Sequence, residues 1–93
     1  MSESDYFVID AKRWFERVNG NTYHSVSVYK NGELLDREPY TYGYGTCYEQ
    51  TALDLLHKHD IAKEFEILWQ FAESIGREKV LIICNDVTRK RDL

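Results

Sequence analysis

The clearest regularity along the chain is an alternation between Tyr23 and Lys30. His24, Val26 and Val28 fall on one side of an extended backbone, and Tyr23, Ser25, Ser27 and Tyr29 on the other. That period of two predicts a strand. Upstream, Tyr6-Phe7-Val8-Ile9 opens a first strand that runs on through Trp14 and Phe15, and Asn19-Gly20-Asn21 marks the turn that closes it. Downstream, Asn31-Gly32 is the pair that a type I′ turn requires, because both central residues take positive φ. A third strand, from Glu33 to about Glu38, therefore folds back as a hairpin. Pro39 has no backbone donor and is expected to end that ladder. A fourth strand is read in Val80-Leu81-Ile82-Ile83-Cys84, whose unbroken apolar run fits a strand covered on both sides, near the middle of a sheet and beside the first strand.

Between the third and fourth strands the apolar period changes to that of a helix. Thr46-Cys47-Tyr48-Glu49 fits a capping box, and Tyr48, Ala52, Leu55 and Leu56 form the stripe that follows it. His57-Lys58-His59-Asp60 interrupts the stripe, and Asp60 is placed to cap a second helix. There Ile61, Phe65, Leu68, Ala72 and Ile75 make the apolar side, with Ile67, Trp69 and Phe71 off it and Gly76 as the stop. The resulting order, β-β-β-α-α-β, predicts an α+β fold of two layers: a four-stranded, mainly antiparallel sheet with two helices on one face. A chain of 93 residues builds one domain, 1–93, with ends expected to fray at about 1–4 and 88–93.

Composition adds that the domain folds: 43% of residues are hydrophobic and 14% aromatic. The net charge of −4 argues against general affinity for nucleic-acid backbone, which clustered cations provide. The charge is unevenly spread. From Cys47 to Glu78, Lys58, Lys63 and Arg77 face seven acids, whereas the last stretch carries Lys79, Arg89, Lys90 and Arg91 against Asp86 and Asp92. Two cysteines, Cys47 and Cys84, lack the spacing of a disulfide framework or a metal site, which fits a reducing compartment. The first residues lack the order of a signal peptide, and no apolar run reaches membrane-spanning length. The expected location is the cytoplasm, with no membrane partner.

Four of the seven tyrosines fall in residues 39–49, a tyrosine and glycine segment that runs into the first helix. Tyr40, Tyr42, Tyr44 and Tyr48, with Trp14, form the first candidate site, a surface for a protein partner or a second copy, because tyrosine covers much area at low entropic cost. The bland alternative folds these rings over the core. A second candidate is a basic and aromatic strip on the first strand, Lys12, Arg13, Trp14 and Arg17, which could run along nucleic acid, although Glu16, Asp36 and Glu38 interrupt it. A third is a small anion at the Thr46 helix start, where free amides point outward. His24, His57 and His59 do not carry ligand spacing, so no metal is implied. Cys47 sits where a helix start can activate a thiol, but no base is fixed beside it, and Cys84 reads as core. With no catalytic constellation and no cofactor signature, the chain is read as a binding protein rather than an enzyme.

Asn21-Thr22-Tyr23-His24-Ser25-Val26, Tyr42-Gly43-Tyr44-Gly45 and Tyr48-Glu49-Gln50-Thr51-Ala52 resemble small uncharacterised phage and prophage proteins over roughly half the chain. The resemblance implies a setting, not a site: an accessory protein that binds and blocks a host component. In one variant of that reading, the acids Asp54, Glu64, Glu66 and Glu73 occupy a basic groove of a nucleic-acid-binding host protein.

Overall fold

A computed structural model describes residues 5–93; the amino-terminal end expected to fray, 1–4, lies outside the described residues. Strands β1 (Phe7–Glu16), β2 (Asn21–Lys30) and β3 (Glu33–Tyr42) are followed by helices α1 (Cys47–Lys58) and α2 (Leu68–Ile75) and by strand β4 (Val80–Val87). The sheet order is β3-β2-β1-β4, with β1 antiparallel to β2 and parallel to β4. The β-β-β-α-α-β order and the α+β class are those expected from the sequence.

The alternation in β2 sorts the sheet into two faces. His24, Val26 and Val28 lie opposite Arg13, Ala11 and Ile9 of β1, on the side that both helices cover. Phe7, Ile9, Ala11, Val26 and Val28 meet Leu53, Leu56, Leu68 and Phe71 there, all at 2% exposure or less. Phe71 stands edge-on to Phe7 at 5.4 Å, which ties α2 to the start of β1. Asn31 (φ 54°) and Gly32 (φ 86°) make the expected turn. Asn31 also stitches the chain entry, exchanging bonds of 2.9 Å with both backbone groups of Tyr6.

β3 does not stop at Pro39. Two register irregularities, between Val28 and Tyr29 and between His24 and Val26, place one extra residue each on β3, and Pro39 falls in the second. An edge strand at a bulge tolerates a residue without a donor, so the ladder resumes at Thr41 and Tyr42. The first irregularity sets Asp36 opposite Val28, on the helix side. There its carboxylate accepts bonds from His59 Nε2 at 2.9 Å and from the Arg37 amide at 2.8 Å, with Lys58 Nζ at 3.5 Å. The His59 bond, then that amide, lower the Asp36 pKa below its ordinary value. Because the folded state binds the proton less readily than the unfolded chain, this stabilisation is complete above the ordinary carboxylate range and is lost as pH falls through it. Thermal melts across acidic pH should therefore show Tm falling for the wild type. Asp36→Asn should lower Tm at neutral pH and flatten the acid limb; an unchanged limb would remove Asp36 from the account.

The second helix is shorter than its apolar stripe predicts, and Asp60 does not cap it. Asp60 (φ 62°) and Ala62 (φ 59°) take left-handed conformations, and residues 61–67 form turns. His57 Nε2 lies 2.9 Å from the Ala62 carbonyl and 3.0 Å from that of Phe65, so its N–H serves two acceptors that a helix would otherwise satisfy. Helix α2 then starts afresh at Leu68. Counting from there, Leu68, Phe71, Ala72 and Ile75 make one apolar side by the i, i+3, i+4, i+7 rule, while Ile67 and Trp69 are exposed. Phe71 is thereby a centre of the core rather than an outlier of the stripe.

Two further expectations are corrected. α1 begins at Cys47, but Thr46 makes no side-chain cap bond; the Glu49 amide bonds to the Thr46 carbonyl at 2.9 Å and the Glu49 carboxylate accepts from Trp69 Nε1 at 3.3 Å. β4 lies beside β1 but at the sheet edge, not the middle, and its outward residues Leu81 and Ile83 are exposed. Its apolar run reflects a half-buried strand with an uncovered second face.

Candidate functional site

The open face of the sheet carries a row of rings across three strands. Trp14 on β1 stacks against Tyr23 on β2 at 5.9 Å and 27°, and Tyr23 stacks against Tyr40 on β3 at 4.8 Å and 16°. Tyr42 meets Tyr23 edge-on at 5.6 Å. Pairing across the strands brings these residues together: Trp14 is opposite Tyr23, and Tyr23 opposite Tyr42. The ring faces are turned toward one another, so the rings stand as a ridge with edges and hydroxyl tips toward solvent; Tyr40 is 39% exposed and Tyr42 59%. Loss of hydration and the neighbouring Tyr23 raise the Tyr40 hydroxyl pKa, which keeps that tip protonated and able to donate.

The closing residues lie against this ridge. Lys90, in a short 3-10 turn from Lys90 to Asp92, sets its ammonium 4.6 Å from the Tyr40 ring centre. Arg37, on the outer side of β3, bonds to Ser27 Oγ and to the Leu93 carbonyl, each at 3.1 Å. The tail that was expected to fray thus reaches from the β4 edge to the β3 edge of the sheet.

The predicted site residues divide between the two layers. Trp14, Tyr40 and Tyr42 join on the open face around Tyr23, the residue missed from sequence. Tyr44 is exposed in the loop after β3, and Tyr48 is half-buried in the first turn of α1, on the other side of the sheet. Desolvation beside Cys84 raises the Tyr48 pKa, as expected for a ring packed on the core. The basic strip is split in the same way. Lys12 shares the open face with Trp14, Arg17 is exposed in the β1–β2 turn, and Arg13 lies on the helix side. Arg13 Nε bonds to Asp86 at 2.8 Å and its Nη1 to the Gly45 carbonyl at 2.9 Å, which locks the tyrosine-glycine loop to the sheet.

That loop has a second lock. Buried His24 bonds through Nδ1 to the Gly43 carbonyl at 3.2 Å and through Nε2 to Thr51 Oγ1 at 2.7 Å. A carbonyl only accepts, so Nδ1–H donates to Gly43 and the same ring reaches Thr51 on α1 through Nε2. Gly43 fits there because it has no Cβ: one would lie 2.8 Å from both Cys47 Cβ and His24 Cε1. At the Thr46 helix start, the Cys47 amide is already bonded to the Tyr44 carbonyl at 3.1 Å. His24, His57 and His59 point to three separate sets of partners, and among the described residues no group of His, Cys, Asp and Glu is placed to hold a metal. Cys47 is exposed; Cys84 is half-buried on the helix side, where burial pushes its thiol pKa up.

The helix layer presents the acids. Asp54 on α1 and Glu73 on α2 are exposed, and Glu64 and Glu66 stand in the irregular stretch between the helices. Among the described residues no helix is long and apolar enough to cross a membrane. No protein-family model, curated protein or solved structure matches this chain.

Proposed function

We propose that this chain is a non-enzymatic protein-binding module whose contact surface is the open sheet face, centred on Trp14, Tyr23, Tyr40 and Tyr42. The observation that carries this reading is the ring stack itself. Stacking holds the side chains in place before any partner arrives, so little rotamer freedom remains to be lost on binding, and aromatic edges with hydroxyl tips are common anchors of protein interfaces. A platform for nucleobases needs ring faces free to receive them. Tyr23 has one face against Trp14 and the other against Tyr40, and Lys90 lies over the Tyr40 ring. Lys12, Arg37 and Lys90 supply cations nearby, but Arg13, the centre of the predicted strip, is engaged with Asp86. In the phage setting that the resemblance implies, the partner is a host protein. The acidic helix layer, on the opposite side, would then serve solubility or a second contact.

Affinity capture from nuclease-treated host lysate tests the reading, comparing wild type with a Tyr40→Ser and Tyr42→Ser double variant whose fold is checked by circular dichroism. One protein captured in stoichiometric amount by the wild type and lost by the folded variant is the expected result, with little loss of wild-type capture as salt is raised. Equal capture by both, or recovery of nucleic acid alone when nuclease is omitted, would overturn it.

A further inference from the structure

The two edges of the sheet are built differently. β3 carries Pro39, two bulges and the charged residues Glu33, Asp36, Arg37 and Glu38, all features that discourage a further strand. β4 has none of these over Val80-Leu81-Ile82-Ile83-Cys84. Its register with β1 is unbroken from Phe7 opposite Val80 to Trp14 opposite Val87, and its first charge is Asp86. Among the described residues no strand pairs with its outer edge. Leu81, 57% exposed, and Ile83, 36% exposed, stand on its uncovered face. A regular, apolar, unpaired edge presents a row of backbone donors and acceptors as a template for another strand.

We infer that β4 pairs antiparallel with β4 of a second copy of this chain, around a two-fold axis at Ile82, to make one continuous sheet. The self-complementarity of the strand selects a second copy. With Ile82 opposite itself, Leu81 lies opposite the partner's Ile83 and Val80 opposite the partner's Cys84, so apolar side chains match on both faces. Centring the axis on Ile83 sets Asn85 against Leu81 and Asp86 against Val80; centring it on Leu81 sets Lys79 against Ile83. Both alternatives spoil the match. Charge agrees with the antiparallel sense. It sets Asp86 at the level of Glu78, with the cations Arg77 and Lys79 on either side of that acid in the same turn, whereas a parallel pair would bring Asp86 to Asp86 with no cation between. The interface uses neither Tyr23 nor Tyr40, so it stands apart from the aromatic ridge.

Light scattering and sedimentation of the full chain over about a hundredfold dilution test this, together with hydrogen exchange at the β4 amides. The wild type should dissociate on dilution, and the outward β4 amides should lose protection as it does. Leu81→Lys with Ile83→Lys, both at exposed positions, should raise the dimer Kd at least about tenfold without altering the circular dichroism spectrum. Tyr23→Ser with Tyr40→Ser should leave the dimer intact, which separates failure of this interface from failure of the ridge. A wild type that stays monomeric throughout, or a dimer that the folded lysine variant retains, would overturn the inference. If the lysine variant fails to fold, the exchange data decide: β4 protection independent of concentration would also overturn it.

Discussion

Phe71→Ala should remove roughly 3–5 kcal/mol of folding free energy, the largest loss expected from any single side chain here. Phe71 is fully buried, edge-on to Phe7 at 5.4 Å and tilted against Phe65 at 6.1 Å. It joins α2, the β1 start and the turn segment that precedes α2. Truncation forfeits the transfer energy of the ring and leaves a space that β1, paired on both sides, cannot collapse to fill. A domain of this size holds only about 5–15 kcal/mol in total, so Tm should fall by roughly 15 °C or more. Urea unfolding measures the loss directly. A change below about 1 kcal/mol would mean that the α2 phase assigned here is wrong.

The second large effect is expected at His24. His24→Ala should cost roughly 2–3 kcal/mol, because the Gly43 carbonyl loses its donor in a buried setting and a void opens beside Cys47. Thr51→Val deletes the 2.7 Å bond at Nε2 but keeps the Gly43 bond and nearly all of the side-chain volume, so it should cost less, about 1 kcal/mol. The two losses should add to more than the double variant shows, since both report on one bond at Nε2. Denaturant unfolding of the two single variants and the double variant checks this. Full additivity would mean that His24 and Thr51 act independently and that the imidazole does not bridge the loop to α1.

The β2–β3 hairpin and the passage from strands to helix follow from local signals that agree with one another. The β2 alternation, the Asn31-Gly32 turn and the change of period at Cys47 each act over a few residues, and the structure keeps all three. What was not legible is what needs a partner distant in the chain. The end of β3 depended on whether the strand would lie at an edge, and only an edge accommodates Pro39 in a bulge. The α2 start depended on His57 donating to the carbonyls of Ala62 and Phe65, a bond invisible to periodicity. The ridge was half legible: Trp14, Tyr40 and Tyr42 stand out as exposed aromatics in the sequence. Tyr23, hidden inside a regular alternation, emerges as their centre only when three strands are laid side by side. Arg13 shows the opposite case, since its neighbours Lys12 and Trp14 mark a strip from which its own parity removes it.

The paired irregularities in β3 also set how its length can change. Each extra residue reverses which side of the sheet the following side chains meet, and two reversals restore the original facing, so Tyr40 and Tyr42 return to Tyr23. The register therefore counts in twos. Straightening one bulge while keeping its residue would set Tyr40 opposite His24 and Tyr42 opposite Thr22, under the helices, and straightening both would set Tyr40 squarely across from Tyr23. A deletion at a bulge acts differently, because the extra residue leaves together with the bulge: without Pro39, Tyr42 still stands opposite Tyr23. Chains of this design can lose or gain a residue at either bulge and keep their outer face, whereas an odd residue taken into the ladder without a bulge turns it inside out.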